Sequence, residues 1–526
     1  MSDLYEKYKP LRNFLRSTDM LNSLAAIRWY INYIQLRSPQ KQFTDLEVPR
    51  EFLNEGVRFI QPWLLTTLAR ELIINGTNLQ PRYDLRKWKD MSKALNYLKA
   101  IEEDIGENYV NQGNIMHFIS KTLPHQQFAW QENRPNYETE TRYYHIYSEP
   151  RLKAIFEEVF GLDLDKFFLI SLLLWNNYNT YFGFNYPPKL YLEKANVTMT
   201  DYDNFVKNYS LDLNGIKAML IARPEFVIDE TFFHRYDSLR RYPLIFTDMS
   251  GIPTHVNPIP TYLFWRTTDG IYYDLVDALK DDKVKYDKFT DALGNAFSQY
   301  VGELLRMQLF NRKMNIVDAD ENIDFKDSKP DWFLIDGVSV LFIECKTKRM
   351  LAIAKKDFDY SEVTESELTK LAVAVMQSYK AIIDADKHTH KFLDGVKNKY
   401  PIIVTLENWY IFGDIEVRLN QIVEKKMKKA NIDLAILEHY PYIVASSAEF
   451  EDLLVVIRKY DVASVMNGFL RNEEYRRWGL RSYIIKKYQM GKNPVVFPDN
   501  RLDRALEQLS GRKFTRGRIQ HQKPDS

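Results

Sequence analysis

The chain has 526 residues, with 72 Lys and Arg against 71 Asp and Glu for a net charge of +1, and 45% hydrophobic residues with only 19 Gly and 21 Pro. This composition predicts about three domains with cores of their own and excludes disordered, collagenous and low-complexity classes. Near-zero net charge excludes a non-specific polycation on nucleic acid while leaving room for a local basic cleft, and the single cysteine excludes a disulfide framework and a cysteine-ligated zinc module.

One cysteine also suits a reducing, cytoplasmic setting, and the charged opening Met1 to Pro10 is unlike an export signal. The most apolar run, Phe167 to Trp175, is interrupted by Ser171 and falls well short of the roughly 20 residues of a membrane span, so it reads as a buried helix. Up to about residue 240 the chain reads as mainly helical: Leu11 to Tyr33, Gly56 to Ile74, Met91 to Ile105 and Arg151 to Leu174 carry apolar residues at three- and four-residue spacing. His117, His125 and His145 share no helix-pair spacing and read as ordinary core or surface histidines.

From 241 to 284 the texture becomes extended. Tyr242 to Phe246, a turn at Ser250-Gly251, and Pro258 to Trp265 read as strand, turn and strand or extended segment, which marks a connector. Residues 285 to 415 then supply a helix from Phe289 to Phe310, a short strand from Met314 to Val317, and two strands, Pro330 to Ile335 and Val338 to Lys346, joined at Asp336-Gly337. A helix from Glu365 to Ala385 and a buried strand from Pro401 to Leu406 complete the order αβββαβ. From 416 to 526 the chain is helical and basic, and carries one further strand-to-helix step at Tyr442 to Glu449, with Ser446 and Glu449 at capping-box spacing. That step either extends the sheet or builds a small C-terminal α/β region, and the chain ends in a basic tail.

The hairpin carries the chemistry. With Ile335 paired to Val338 across a two-residue loop, Asp331 falls opposite Phe342 and diagonal to Glu344. Alternation then gathers Asp331, Glu344 and Lys346 on one face, among Phe333, Val340 and Phe342. Charges in such company need partners. Two neighbouring carboxylates are relieved by a divalent cation, and hard oxygen ligands without a Cys/His pair select Mg²⁺ or Mn²⁺.

Pro330-Asp331, a spacer, and Glu344-Cys345-Lys346 resemble the motif of the PD-(D/E)xK nuclease superfamily, whose core has the same αβββαβ order. The resemblance covers about a fifth of the chain and implies a restriction-endonuclease-like core of mixed α+β/α/β class. It implies that Asp331 and Glu344, helped by the Cys345 backbone carbonyl, hold the metal, and that Lys346 orients or deprotonates the attacking water and stabilises charge on the phosphate. Members of the family often add a Glu from the first helix. Glu303 flanks the apolar stripe here, where a solvated role competes with a catalytic one.

Gln377 does not complete the Gln-x-x-x-Tyr element of one branch, because position 381 is Ala. Lys348, Arg349, Lys355 and Lys356 follow the catalytic strand and are the candidate phosphate contacts, with Lys425 to Lys429 and Arg471 to Lys487 as further basic runs. A solvated charged face accounts for any of these runs equally well. The expectation is a Mg²⁺-dependent deoxyribonuclease of restriction or anti-phage type, its helical N-terminal region serving association with a second copy or a partner protein. Two alternatives stand beside it, a catalytically silent DNA-binding module and a helical effector sensor with nuclease output.

Overall fold

The computed structural model describes residues 4–36, 45–111, 129–132, 134–184, 196–222, 228–235, 237–249, 251–321, 328–350, 362–388 and 390–489, with a few isolated positions between and after them. The architecture is mixed α/β, with helices around two small sheets. Among the described residues no helix is long and apolar enough to cross a membrane.

The first part of the chain is helical, but local caps divide two of its expected helices. Leu11 to Tyr33 splits into Leu4–Leu15 and Met20–Leu36, because Asp19 accepts from the Asn22 N–H at 2.9 Å and starts a new helix. Arg151 to Leu174 splits into Pro150–Phe160 and Leu164–Thr180, where Gly161 takes a left-handed φ of 59° and Asp163 caps the next helix. Phe167 and Phe168 are fully buried, as expected of a core helix.

Strands β1 (Gly183–Phe184), β2 (Ser210–Asp212), β3 (Leu244–Met249) and β4 (Ile252–Val256) form one sheet in the order β1-β4-β3-β2. This sheet joins chain from both sides of residue 240, so the expected boundary there is not a break in packing. The segment expected to be extended from Pro258 to Trp265 is instead the helix Pro260–Arg266, with Pro260 in its first turn, where a missing N–H costs nothing.

The second sheet runs β5 (Asn315–Asp318), β6 (Trp332–Asp336), β7 (Ser339–Lys346), β8 (Asn398–Thr405) and β9 (Ile443–Ser446), in that spatial order. The β5–β6 and β6–β7 pairs are antiparallel, whereas β7–β8 and β8–β9 are parallel. With the helices Lys283–Leu309 before β5 and Glu362–Lys387 between β7 and β8, the expected element order is present. The strand-to-helix step near Ser446 adds β9 to this sheet, and Ser446 and Glu449 form the reciprocal capping box.

Both faces of the sheet are covered, which is why β6, β7 and β8 read as near-continuous apolar runs. Leu334, Leu341, Ile343 and Val404 pack with the helices Lys283–Leu309 and Ser447–Ile457. On the other face Phe333, Val340, Phe342 and Ile403 pack with Glu362–Lys387 and Asp414–Lys429. Gly302 allows the first of these helices its close approach, since a Cβ there would stand 2.1 Å from the Trp332 ring.

Candidate active site

The hairpin turns at Gly337-Val338, one residue later than expected, with Asp336 paired to Ser339 and Trp332 to Ile343. Gly337 alone takes a positive φ, 59°, which is the type II′ pattern with glycine at the first central position. The slip of two residues across the pair preserves the face of every side chain and improves the juxtaposition. One residue beyond Trp332 and Ile343, Asp331 comes level with Glu344 instead of diagonal to it.

Asp331 is pinned by its backbone and its side chain together. Its N–H donates to the Ile343 carbonyl at 2.9 Å, its carbonyl accepts from the Ala319 N–H at 3.1 Å, and its Oδ2 accepts from the Cys345 N–H at 2.6 Å. Burial raises the Asp331 carboxyl above the usual range, while the Cys345 N–H and the Lys346 ammonium work against that rise.

Glu344, at 4% exposure, is held at one oxygen only: Lys346 Nζ lies 2.5 Å from Oε1, and the buried Oε2 has no hydrogen-bond partner. Burial pushes Glu344 up to about 7, with Lys346 opposing the shift and Asp331 adding to it. Two carboxylates and an ammonium therefore meet at the carboxyl end of a strand that is parallel to its neighbour.

Of three further residues nearby, one joins this site and two side chains turn away from it. Ser298, on the helix Lys283–Leu309, accepts from Trp332 Nε1 at its carbonyl (3.0 Å) and its hydroxyl (3.1 Å), and hydrogen-bonds to the Asp331 carboxyl. Sequence reasoning missed it. The available signal was the pair of small residues Ser298 and Gly302, one helical turn apart on the face that meets β6. Glu303 is directed elsewhere, with its Oε2 2.9 Å from Nε2 of His145, a buried residue on the helix Tyr137–Tyr147. The Cys345 thiol lies on the opposite face from Glu344, and burial pushes its pKa far up, which leaves it a poor nucleophile.

The basic residues after the strand divide sharply. Lys348 is exposed. Arg349, expected to meet phosphate, is buried: its Nη1 donates to the Asp269 carbonyl at 2.6 Å and pairs with Glu407 at 2.5 Å, and the guanidinium lies 4.4 Å from the Tyr272 ring. A guanidinium enclosed in this way serves packing, not an incoming backbone. Lys355 and Lys356 lie outside the described residues, as do His117 and His125. Gln377 is half-buried, and Tyr379 is fully buried with its hydroxyl bonded to the Tyr440 carbonyl.

Whether this site suits a divalent cation is decided by its donors. Among the described residues no group of three or more His, Cys, Asp and Glu side chains is gathered as for a metal. Asp331 and Glu344 offer two hard carboxylates, and the unpartnered Oε2 of Glu344 is a buried acceptor awaiting a positive partner. Magnesium characteristically uses one or two carboxylates and keeps several waters, so this pair fits it without a third side chain. The chain matches no protein-family model, no curated protein and no solved structure.

Proposed function

We propose that this chain is a metal-dependent nuclease that hydrolyses phosphodiester bonds of DNA, on a core resembling the PD-(D/E)xK superfamily. The observation that carries the reading is the meeting of Asp331, Glu344 and Lys346 at the end of one hairpin, with one buried oxygen of Glu344 unpaired. The αβββαβ element order and the helices on both faces of the sheet support it.

Phosphodiester hydrolysis needs a nucleophilic water, relief of negative charge on the phosphate, and stabilisation of the leaving oxygen. A bound Mg²⁺ or Mn²⁺ supplies charge relief and a more acidic water. Asp331 and Glu344 would hold it, with the Cys345 carbonyl as the further oxygen that the resemblance suggests. Asp331 is kept in place by the Cys345 N–H, so the ligand oxygen is positioned before any substrate arrives. Lys346 carries a positive charge beside the scissile group and, being about a third exposed, can reach it from the rim. This chemistry requires no histidine base, and none stands in the hairpin.

Plasmid cleavage in Mg²⁺ by wild type, Glu344→Ala and Lys346→Ala tests the assignment. The expected loss is roughly 10²–10³-fold or more for each variant, the scale of removing one electrostatic stabiliser. Equal nicking by all three proteins overturns it. Retention of DNA in a gel without cleavage, with or without Mg²⁺, would instead make the chain a binding module.

A further inference from the structure

A chamber of about 690 Å³ lies next to the carboxylate site, between the helical part of the chain and the carboxyl ends of β8 and β9, where its lining residue Leu406 donates its N–H to the Lys346 carbonyl at 3.1 Å. None of Asp331, Glu344 and Lys346 is among the described residues that line it. Its volume is that of a typical small-molecule site. Two features of its wall define what it would accept.

The first is an aromatic face. Trp130, Tyr262 and Trp265 stand with ring centroids 4.9 to 6.0 Å apart and planes tilted by 36 to 54°; Trp130 and Tyr262 are buried behind Trp265, which is the partly exposed ring. The second is the cation on that face. The Arg240 guanidinium lies 5.3 Å from the Tyr262 ring and 5.6 Å from the Trp265 ring, and Arg240 is exposed although the rings and the Tyr262 hydroxyl surround it. Arg240 is one of the residues that line the chamber.

Arg70 lines the same space but is buried, paired with Glu71 at 3.0 Å and bonded to the Phe232 carbonyl; it and Arg240 hold down the Asp237 carboxyl, which burial raises. Among the described lining residues arginine occurs repeatedly and lysine not at all, although Arg142, Arg241 and Arg266 are paired with Glu451, Asp277 and Asp274. Arginine is the cation that stacks on planar rings and grips phosphate oxygens two at a time, whereas lysine acts as a point charge. Stacking surfaces beside guanidiniums suit a molecule that is flat and aromatic at one end and anionic at the other.

We infer that the chamber is a binding site for a nucleoside phosphate, with the base against Trp265 and the phosphate on Arg240. This assignment goes beyond the nuclease reading and does not rest on it, because binding is read without cleavage.

Isothermal titration of the full chain with ATP, adenosine and pyrophosphate is the test. One saturable ATP site is expected, with adenosine and pyrophosphate each weaker by about tenfold or more, since each keeps only half of the contacts. Arg240→Gln and Trp265→Leu should each weaken ATP by about tenfold or more, and Trp265→Phe should restore most of the loss. Asp331→Asn should bind ATP as wild type does. Recovery with Trp265→Phe separates loss of the stacking surface from loss of the fold. The inference is overturned if ATP, GTP and the dinucleotide pApA all fail to saturate up to about 1 mM, if both chamber variants bind ATP undiminished, or if Asp331→Asn abolishes binding and so moves the ligand to the carboxylate site.

Discussion

Two buried carboxylates in this molecule are treated in opposite ways. Glu451 is closed on every side: Arg142 approaches its two oxygens at 2.5 and 2.7 Å, and the Tyr300 hydroxyl adds a third bond at 2.6 Å. Glu344 is as deeply placed yet has one lysine contact and an oxygen with no partner. The first arrangement ties the helix Tyr137–Tyr147 to the sheet-covering helices Lys283–Leu309 and Ser447–Ile457 and leaves nothing for a ligand to do. The second is a deficit, and a buried deficit persists only where something else completes it or where the fold tolerates its cost.

The contrast is tested first by breaking the closed pair. Arg142→Ala leaves Glu451 buried without its cation and should cost about 3–5 kcal/mol in urea unfolding, whereas replacing both partners with Met should cost far less. Glu344 should respond in the reverse direction. Its carboxyl sits at about 7, above the ordinary 4.5. Between those values the folded chain holds a proton that the unfolded chain has released, so stability falls as pH rises through this window and levels off above it, by up to about 3 kcal/mol. Glu344→Gln should therefore match wild type at pH 4, exceed it at pH 8, and show none of the Mg²⁺-induced rise in melting temperature expected of wild type at pH 8.

Smaller effects sharpen the comparison. Gly302→Ala forces a Cβ into the Trp332 ring and should destabilise by about 1–3 kcal/mol, with kcat falling more than KM rises because Asp331 follows the displaced strand. Lys348→Ala should leave stability unchanged and reduce the slope of log affinity against log salt by about one for DNA binding.

Where sequence and structure agree, the local chemistry admitted one answer. Asp336-Gly337 announces a hairpin whatever surrounds it, and alternation along β7 settles that Glu344 and Lys346 share a face. Ser446 and Glu449 likewise mark their helix start unaided. The turn slipped because glycine satisfies either central position of a tight loop, and only the pairing of β6 with β7 chooses between them. Pro258 to Trp265 misled because aromatic residues favour strands only when a sheet is there to receive them. Pro260 opens a helix instead, with Tyr262, Leu263 and Phe264 buried.

Arg349 and Glu303 were legible as charges and illegible as partners. Their counterparts, Glu407 and His145, lie 58 and 158 positions away in the chain, and no periodicity reports such a meeting. Ser298 was hidden for the same reason, because its role exists only once β6 has docked on the helix.

The clasp around Arg349 has a mechanical consequence. Only Thr347 and Lys348 lie between it and Lys346, a stretch of at most about 10 Å of fully extended backbone. At one end stands the ammonium beside Glu344. At the other is a guanidinium capped by Tyr272 and fastened to Asp269 and Glu407, both of which border the chamber. So short a tether has little slack, and it holds the lysine at the strand end and the wall of the chamber at a nearly fixed separation.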